Sequence, residues 1–196
     1  MIKIGITGGL GSGKSVVSTL FNMAGIPVYV ADDESKTLAD TSTLIQGKLK
    51  KMFGEDIYMN GRLDRKRLAS YIFSDEDLLK KVNDIIHPVV RKNFQEWVFK
   101  QGSGYCAIES AILYESGFDD DVDIVIMVYA PVELRLTRAM KRDGATETEI
   151  MKRMNRQMPD VFKRQKADFV IINDDVQALI PQVDRILEGL FDQLTV

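Results

Sequence analysis

The sequence predicts an α/β fold, a five-stranded parallel sheet covered by helices on both faces. Three observations carry that expectation. Five short runs, at 2–7, 27–30, 105–109, 123–129 and 169–172, are apolar in the manner of strands buried on both faces. Segments of helical periodicity separate them, the order in which parallel strands are joined by crossovers. The first run also leads directly into Gly8-Gly9-Leu10-Gly11-Ser12-Gly13-Lys14-Ser15, a complete G-x-x-x-x-G-K-[ST] loop, and a helical stretch at 15–24 follows it.

Each residue type in that loop has a task around a polyphosphate. Glycines let backbone N–H groups turn inward and approach phosphate oxygens without a Cβ in the way. Lys14 supplies a point charge for the β- and γ-phosphates, and the Ser15 hydroxyl can ligate Mg²⁺. The helix that starts here turns its positive end toward the same anion. The loop in its strand–helix context predicts a P-loop NTPase core of the nucleotide-kinase type.

Composition narrows the class further. With 196 residues and a net charge of −3, the chain makes one domain with room for insertions and has no bias toward polyanions. No nucleic-acid partner is expected. The lone Cys106 lies in an apolar run and reads as a buried, inert thiol. No apolar stretch approaches 18 residues and no basic leader precedes the first strand, so a cytoplasmic protein without membrane contact is expected.

Two segments exceed what a minimal crossover needs. The first, residues 41–101, is predicted as a helical insertion that takes the second substrate. Gly54 and Asn60-Gly61 are turn signals within it, Asp64 is placed to cap a helix at 65–73, and Ser74 with Asp77 resembles a capping box. His87-Pro88 predicts a helix boundary, because the residue before proline is pushed out of the α region. That makes a structural helix-end role the leading reading of the only histidine. Val89, Val90, Phe94, Trp97 and Val98 follow at helical spacing, as core residues do.

The second segment, residues 135–166, holds ten of the 26 lysines and arginines against four acids. Arg135, Arg138 and Arg142 fall at i, i+3 and i+7, on one helical face. Asp143-Gly144 reads as a turn, and Thr146-x-x-Glu149 as a capping box for a helix carrying Lys152, Arg153 and Arg156. A solvated charged face is the alternative reading of the segment taken alone. Beside a phosphate loop, the better reading is a lid that brings arginines to a transferring phosphoryl group, since the guanidinium stays charged and binds phosphate bidentately. A last helix is predicted at 176–194. The core is then residues 1–40, 102–134 and 167–196, the insertion 41–101 and the lid 135–166.

A phosphoryl acceptor needs a base near its hydroxyl. Asp32, just past the second strand, is the first choice because the carboxyl ends of parallel strands line one crevice. Asp33 is its rival, and helix N-capping is the alternative role. Glu109 ends the third apolar run at the same edge, where it either holds a magnesium-bound water or caps the next turn.

In order along the chain, several landmarks resemble the dephospho-CoA kinase family. They are Ile6-Thr7-Gly8-Gly9-Leu10-Gly11-Ser12-Gly13-Lys14-Ser15, Val28-Tyr29-Val30-Ala31-Asp32, Ile86-His87-Pro88 and Glu109-Ser110-Ala111-Ile112-Leu113-Tyr114-Glu115. Arg138, Arg142-Asp143, Gln157, Lys163 and the run Ala167-Asp168-Phe169-Val170-Ile171-Ile172-Asn173 complete the set. The resemblance covers essentially the whole chain. It implies ATP-dependent phosphorylation of the ribose 3′-hydroxyl of dephospho-CoA, with ATP and Mg²⁺ as cofactors.

Residue by residue, the resemblance implies Asp32, Lys14 and Arg142 as catalytic groups and favours Asp32 over Asp33. It places the nucleotide on Gly8, Gly9, Leu10, Gly11, Ser12, Gly13, Lys14, Ser15, Val16, Arg138 and Asn173. The acceptor falls to Thr7, Asp32, His87 and Leu113, and the metal to Ser15 and Glu109. This chain departs from the family pattern at Val30, where an aspartate is usual, and at Val16, Lys36, Glu109 and Ala111. Two other readings share the core: a kinase of nucleosides or nucleotides, and a nucleotide-dependent switch. An Asn-Lys-x-Asp motif for guanine is absent.

Overall fold

The computed structural model describes residues 1–73 and 75–192. Along the chain the elements are β1 (Ile2–Thr7), α1 (Lys14–Met23), β2 (Val28–Val30), α2 (Ala31–Thr41), α3 (Thr43–Phe53), β3 (Tyr58–Met59), β4 (Arg62–Leu63), α4 (Arg65–Ile72) and α5 (Glu76–Phe99). They continue as β5 (Tyr105–Glu109), β6 (Ile124–Tyr129), α6 (Val132–Asp143), α7 (Glu147–Met154), α8 (Asp160–Lys166), β7 (Phe169–Ile172) and α9 (Leu179–Asp192). The chain divides into two compact units. One is Met1–Tyr29 with the chain from Gln101 onward, and the other is Val30–Lys100.

The first unit carries the predicted sheet, in the order β2-β5-β1-β6-β7. β1 is central and runs parallel to both neighbours, pairing Ile6 with Glu109 on one side and Thr7 with Met127 on the other. That register brings the carboxyl ends of β1 and β5 side by side, while β6 runs on past them through Val128 and Tyr129. Ile4, Ile6, Ile126 and Val128 are fully buried and pack with Val17 and Phe21 of α1 and Val183, Ile186, Leu187 and Leu190 of α9. Burial of each such side chain contributes roughly 1.5–3 kcal/mol. On the opposite face of β1, Gly5 makes room for Leu113, whose Cδ2 would lie 2.8 Å from a Cβ built there. α9 starts at Leu179, later than predicted, because Asp174 accepts from the Val176 and Gln177 N–H groups and holds a turn there. The predicted helix end at Leu194 lies outside the described residues.

In the second unit, α2 to α5 pack around Ile45, Leu49, Ile57, Leu68 and Val82. The insertion is helical as predicted, though not throughout: β3 and β4 form an antiparallel hairpin that turns at Asn60-Gly61. Both turn residues have positive φ, 50° and 78°, the conformation of a two-residue hairpin turn. The hairpin is anchored by Asp40, which accepts from the Leu63 N–H at 2.9 Å and from Arg65 at 2.8 Å. One expectation is corrected here: His87-Pro88 does not end a helix, for α5 runs through it with Pro88 inside. Proline costs an interior helix about 3 kcal/mol. Val82, Val90 and Phe94 are buried on both sides of it, and an interruption would expose more apolar surface than that.

The caps follow sequence in part. Asp64 accepts from the Arg67 N–H at the start of α4, as predicted. Ser74 lies outside the described residues, and Asp75 caps α5 by accepting from Leu78. Among the described residues no helix is long and apolar enough to cross a membrane.

Candidate active site

The loop between β1 and α1 is held on several sides. Gly8, Gly11 and Gly13 adopt φ of 148°, 79° and 90°. A Cβ at Gly8 would lie 2.2 Å from the Val128 carbonyl oxygen, one at Gly11 2.3 Å from that of Arg135, and one at Gly13 2.1 Å from Asn173 Nδ2. Gly11→Ala therefore meets both backbone strain and a fixed carbonyl. It is expected to lower the melting temperature by several degrees, from about 1–3 kcal/mol of strain, and to weaken nucleotide binding more than tenfold. Thermal denaturation and a nucleotide titration check this.

Lys14 is buried, and its ammonium lies across the loop, donating to the Gly8 carbonyl at 3.0 Å and the Gly9 carbonyl at 3.5 Å. These acceptors are neutral, so a phosphate oxygen competes with them favourably. The Thr7 and Ser12 hydroxyls are buried beside the loop without a hydrogen-bond partner. Ser15 and Val16 are exposed in the first turn of α1. One helical step further, Ser18 donates to Glu109 Oε2 at 2.7 Å in a buried contact. Glu109 does not cap the turn after β5, because Ser110 does so by accepting from the Ile112 N–H. Ser15 and Glu109 are hard oxygen donors suited to Mg²⁺. Among the described residues no cluster of three His, Cys, Asp or Glu side chains could hold a metal alone.

The three arginines of α6 share a helical face in sequence but go to different partners. Arg135 is buried, pairs with Asp160 at 2.7 Å and lies against Gly9, where a Cβ would come within 1.8 Å of its Nη1. Arg138 reaches the Asn173 carbonyl and the Asp175 carboxylate. Arg142 forks onto Asp143 at 2.7 and 3.1 Å, and Arg153 meets the same carboxylate at 2.5 Å. Gly144 ends α6 in the left-handed conformation, and the Thr146–Glu149 capping box opens α7, both as predicted.

The Arg142 and Arg153 bonds hold the Asp143 carboxyl at about 2. Since its folded value lies below the unfolded one, near 3.9, the pairing contributes fully above that pH and is lost as pH falls through about 2. Asp143→Asn is expected to lower the melting temperature at pH 7, and its difference from the parent should shrink below pH 4. Melting curves across that range test it.

Asn173, Gln157 and Lys163 are set by tertiary contacts. Asn173 is buried and donates from Nδ2 to the Ser12 carbonyl at 2.8 Å, holding the loop backbone from outside. Gln157 accepts the Leu10 N–H at 2.8 Å, and Lys163 is fully buried. Sequence marks Gln157 and Lys163 only as landmarks, and the role of Arg135 beside Gly9 has no local signal.

Leu113 is fully buried against Gly5. The remaining predicted residues lie in the second unit. Asp32 is exposed in the first turn of α2 and does not cap it, since that helix begins at Ala31. Asp33 pairs with Lys36 at 2.7 Å. His87 is half-buried on α5, and burial holds its imidazole below the usual value.

A glycine loop between the central parallel strand and a helix, with a buried lysine laid across it and an arginine-bearing helical segment packed beside it, defines a P-loop kinase. A family model described as dephospho-CoA kinase matches residues 2–178. The chain is 46% identical over 194 residues to a Bacteroides fragilis protein named dephospho-CoA kinase, covering 98% of this chain and 95% of that one. It is 48% identical over 189 residues to one of the same name from Porphyromonas gingivalis, covering 96% and 94%. A crystal structure from Thermus thermophilus matches with a TM-score of 0.84 at 33% identity, covering 100% of this chain and 98% of the other. The Campylobacter jejuni dephospho-CoA kinase shares the fold, with a TM-score of 0.68 at 24% identity and 96% of each chain covered. This chain belongs to the dephospho-CoA kinase family.

Proposed function

We propose that the chain transfers the γ-phosphoryl group of ATP to the ribose 3′-hydroxyl of dephospho-CoA, giving coenzyme A. The observation that carries this reading is the family match along nearly the whole chain, over an intact phosphate loop with Lys14 in place. ATP lies on the loop 8–15, with backbone N–H groups and Lys14 on its phosphates, and Arg138 and Asn173 serve the nucleotide from the loop's flank. Asp32 accepts the proton of the 3′-hydroxyl as the oxygen attacks.

Arg142 exchanges Asp143 for the transferring phosphoryl group when the lid, 135–166, closes and excludes water. The insertion 41–101, with His87, takes the acceptor. Thr7 and Leu113 are buried, so they serve the acceptor through the backbone they support. Ser15, and Glu109 through water, are the residues that would hold Mg²⁺, which would supply charge neutralisation to the phosphates. The same reading places the enzyme in the cytoplasm, acting on small molecules only.

The test is purified protein with Mg²⁺ATP, assayed for ADP release with dephospho-CoA, with AMP or with no acceptor. Mass spectrometry identifies the product. Release that depends on dephospho-CoA, with coenzyme A formed, is the expected result. Turnover with AMP alone would move the substrate to nucleotides, and slow hydrolysis without any acceptor would turn the reading toward a switch protein.

A further inference from the structure

A closed polar circuit joins the phosphate loop to the segment that follows β5. The Leu10 N–H donates to Gln157 Oε1 at 2.8 Å, and Gln157 Nε2 donates onward to the Ala111 carbonyl at 3.4 Å. Lys163 Nζ donates to the same carbonyl at 2.6 Å and meets Glu115 Oε1 at 3.0 Å. That carboxylate also accepts the Met158 N–H at 2.6 Å, which returns the circuit to the residue beside Gln157. Lys163 is 0% exposed.

Stability alone is a weak reason for such an arrangement. Desolvating the Lys163 ammonium costs several kcal/mol, and an apolar residue of the same volume would serve stability as well or better. What the circuit does supply is position. It satisfies the Leu10 N–H within the loop and ties it to a segment that begins one residue after Glu109.

We infer that Gln157 and Lys163 are positioning residues for the nucleotide, holding the crown of the phosphate loop in its binding shape before ATP arrives. Without them the Leu10 N–H loses its acceptor, the loop samples more conformations, and the nucleotide must order it on binding. The inference rests on the nucleotide half of the proposed function and not on the identity of the acceptor.

The experiment is calorimetric titration of Mg²⁺ATP, without acceptor, into the parent protein, Gln157→Leu, Lys163→Met, Lys163→Arg and the double variant Gln157→Leu/Lys163→Met. Melting curves are recorded for each, and titrations are run well below every transition. Each of Gln157→Leu and Lys163→Met is expected to raise the ATP Kd about tenfold. The double variant should be no weaker than about twentyfold, because both break one circuit, and Lys163→Arg should retain more affinity than Lys163→Met.

A folded Gln157→Leu with an ATP Kd within twofold of the parent would overturn the inference, even if Lys163→Met fails to fold. Lowered melting temperatures with unchanged Kd would do the same. Tight ATP binding by the parent without turnover of dephospho-CoA would sink the proposed acceptor and leave the circuit's role standing.

Discussion

Lys14→Ala is expected to lower turnover by about a thousandfold, the scale of removing one preorganised charge from a phosphoryl-transfer site. Its ammonium lies buried across the loop, 3.0 Å from the Gly8 carbonyl, so truncation removes the charge without offering water an easy replacement. Buried Gly8 and Gly9 carbonyls lose a donor as well, and nucleotide affinity should fall along with kcat. Steady-state kinetics with a nucleotide titration separate the two effects. Turnover within tenfold of the parent would remove Lys14 from the phosphates and with it the assignment of the loop. Circular dichroism guards against misfolding, which the interior position of Lys14 makes worth checking.

Asp32→Asn should act on the other side of the reaction. General-base assistance contributes about 10²–10⁴-fold, and the amide cannot accept the proton, so kcat is expected to fall by that range. ATP affinity should hold within about twofold, because Asp32 acts on the hydroxyl of the acceptor and not on the nucleotide. Asp32 is exposed in the first turn of α2, so the isosteric change leaves the apolar core untouched. Asp33→Asn is the matched comparison, since it breaks only the exposed pair with Lys36. Equal losses in the two variants would show that the pair acts through charge at the helix start and not through a proton.

Much of this architecture is legible in the sequence, for local reasons. β1, β5 and β7 are short, mostly apolar runs that fall where predicted, and the phosphate loop announces itself through glycines that its φ angles require. The Thr146–Glu149 cap and Gly144 are equally local. The hairpin β3–β4 escapes because two-residue strands are too short to show a period, although its Asn60-Gly61 turn is visible.

Pro88 misleads because a local penalty is outweighed by burial of Val82, Val90 and Phe94, which local sequence does not report. The arginines of α6 show the same limit at the site. Helical spacing gives a common face, but Asp160 and Asp175, which hold Arg135 and Arg138, lie elsewhere in the chain, and Arg142 turns instead onto its own neighbour Asp143. Asn173 and Gln157 hold the loop backbone across long stretches of sequence, and no motif reports such bonds.

The central position of β1 has a consequence for how the protein is made. Both of its neighbours, β5 and β6, come about 100 residues or more later in the chain, so β1 leaves the ribosome with no strand to pair with. At roughly 5–20 residues per second, that interval lasts about 5–20 seconds. The unit Val30–Lys100 is contiguous and has its own apolar cluster, so it can close during the wait. The apolar strand that carries the phosphate loop stays exposed until synthesis has passed β6. In the nascent chain, Ile2–Thr7 is therefore the segment with most reason to be shielded by a chaperone, and the nucleotide site is among the last features of the molecule to exist.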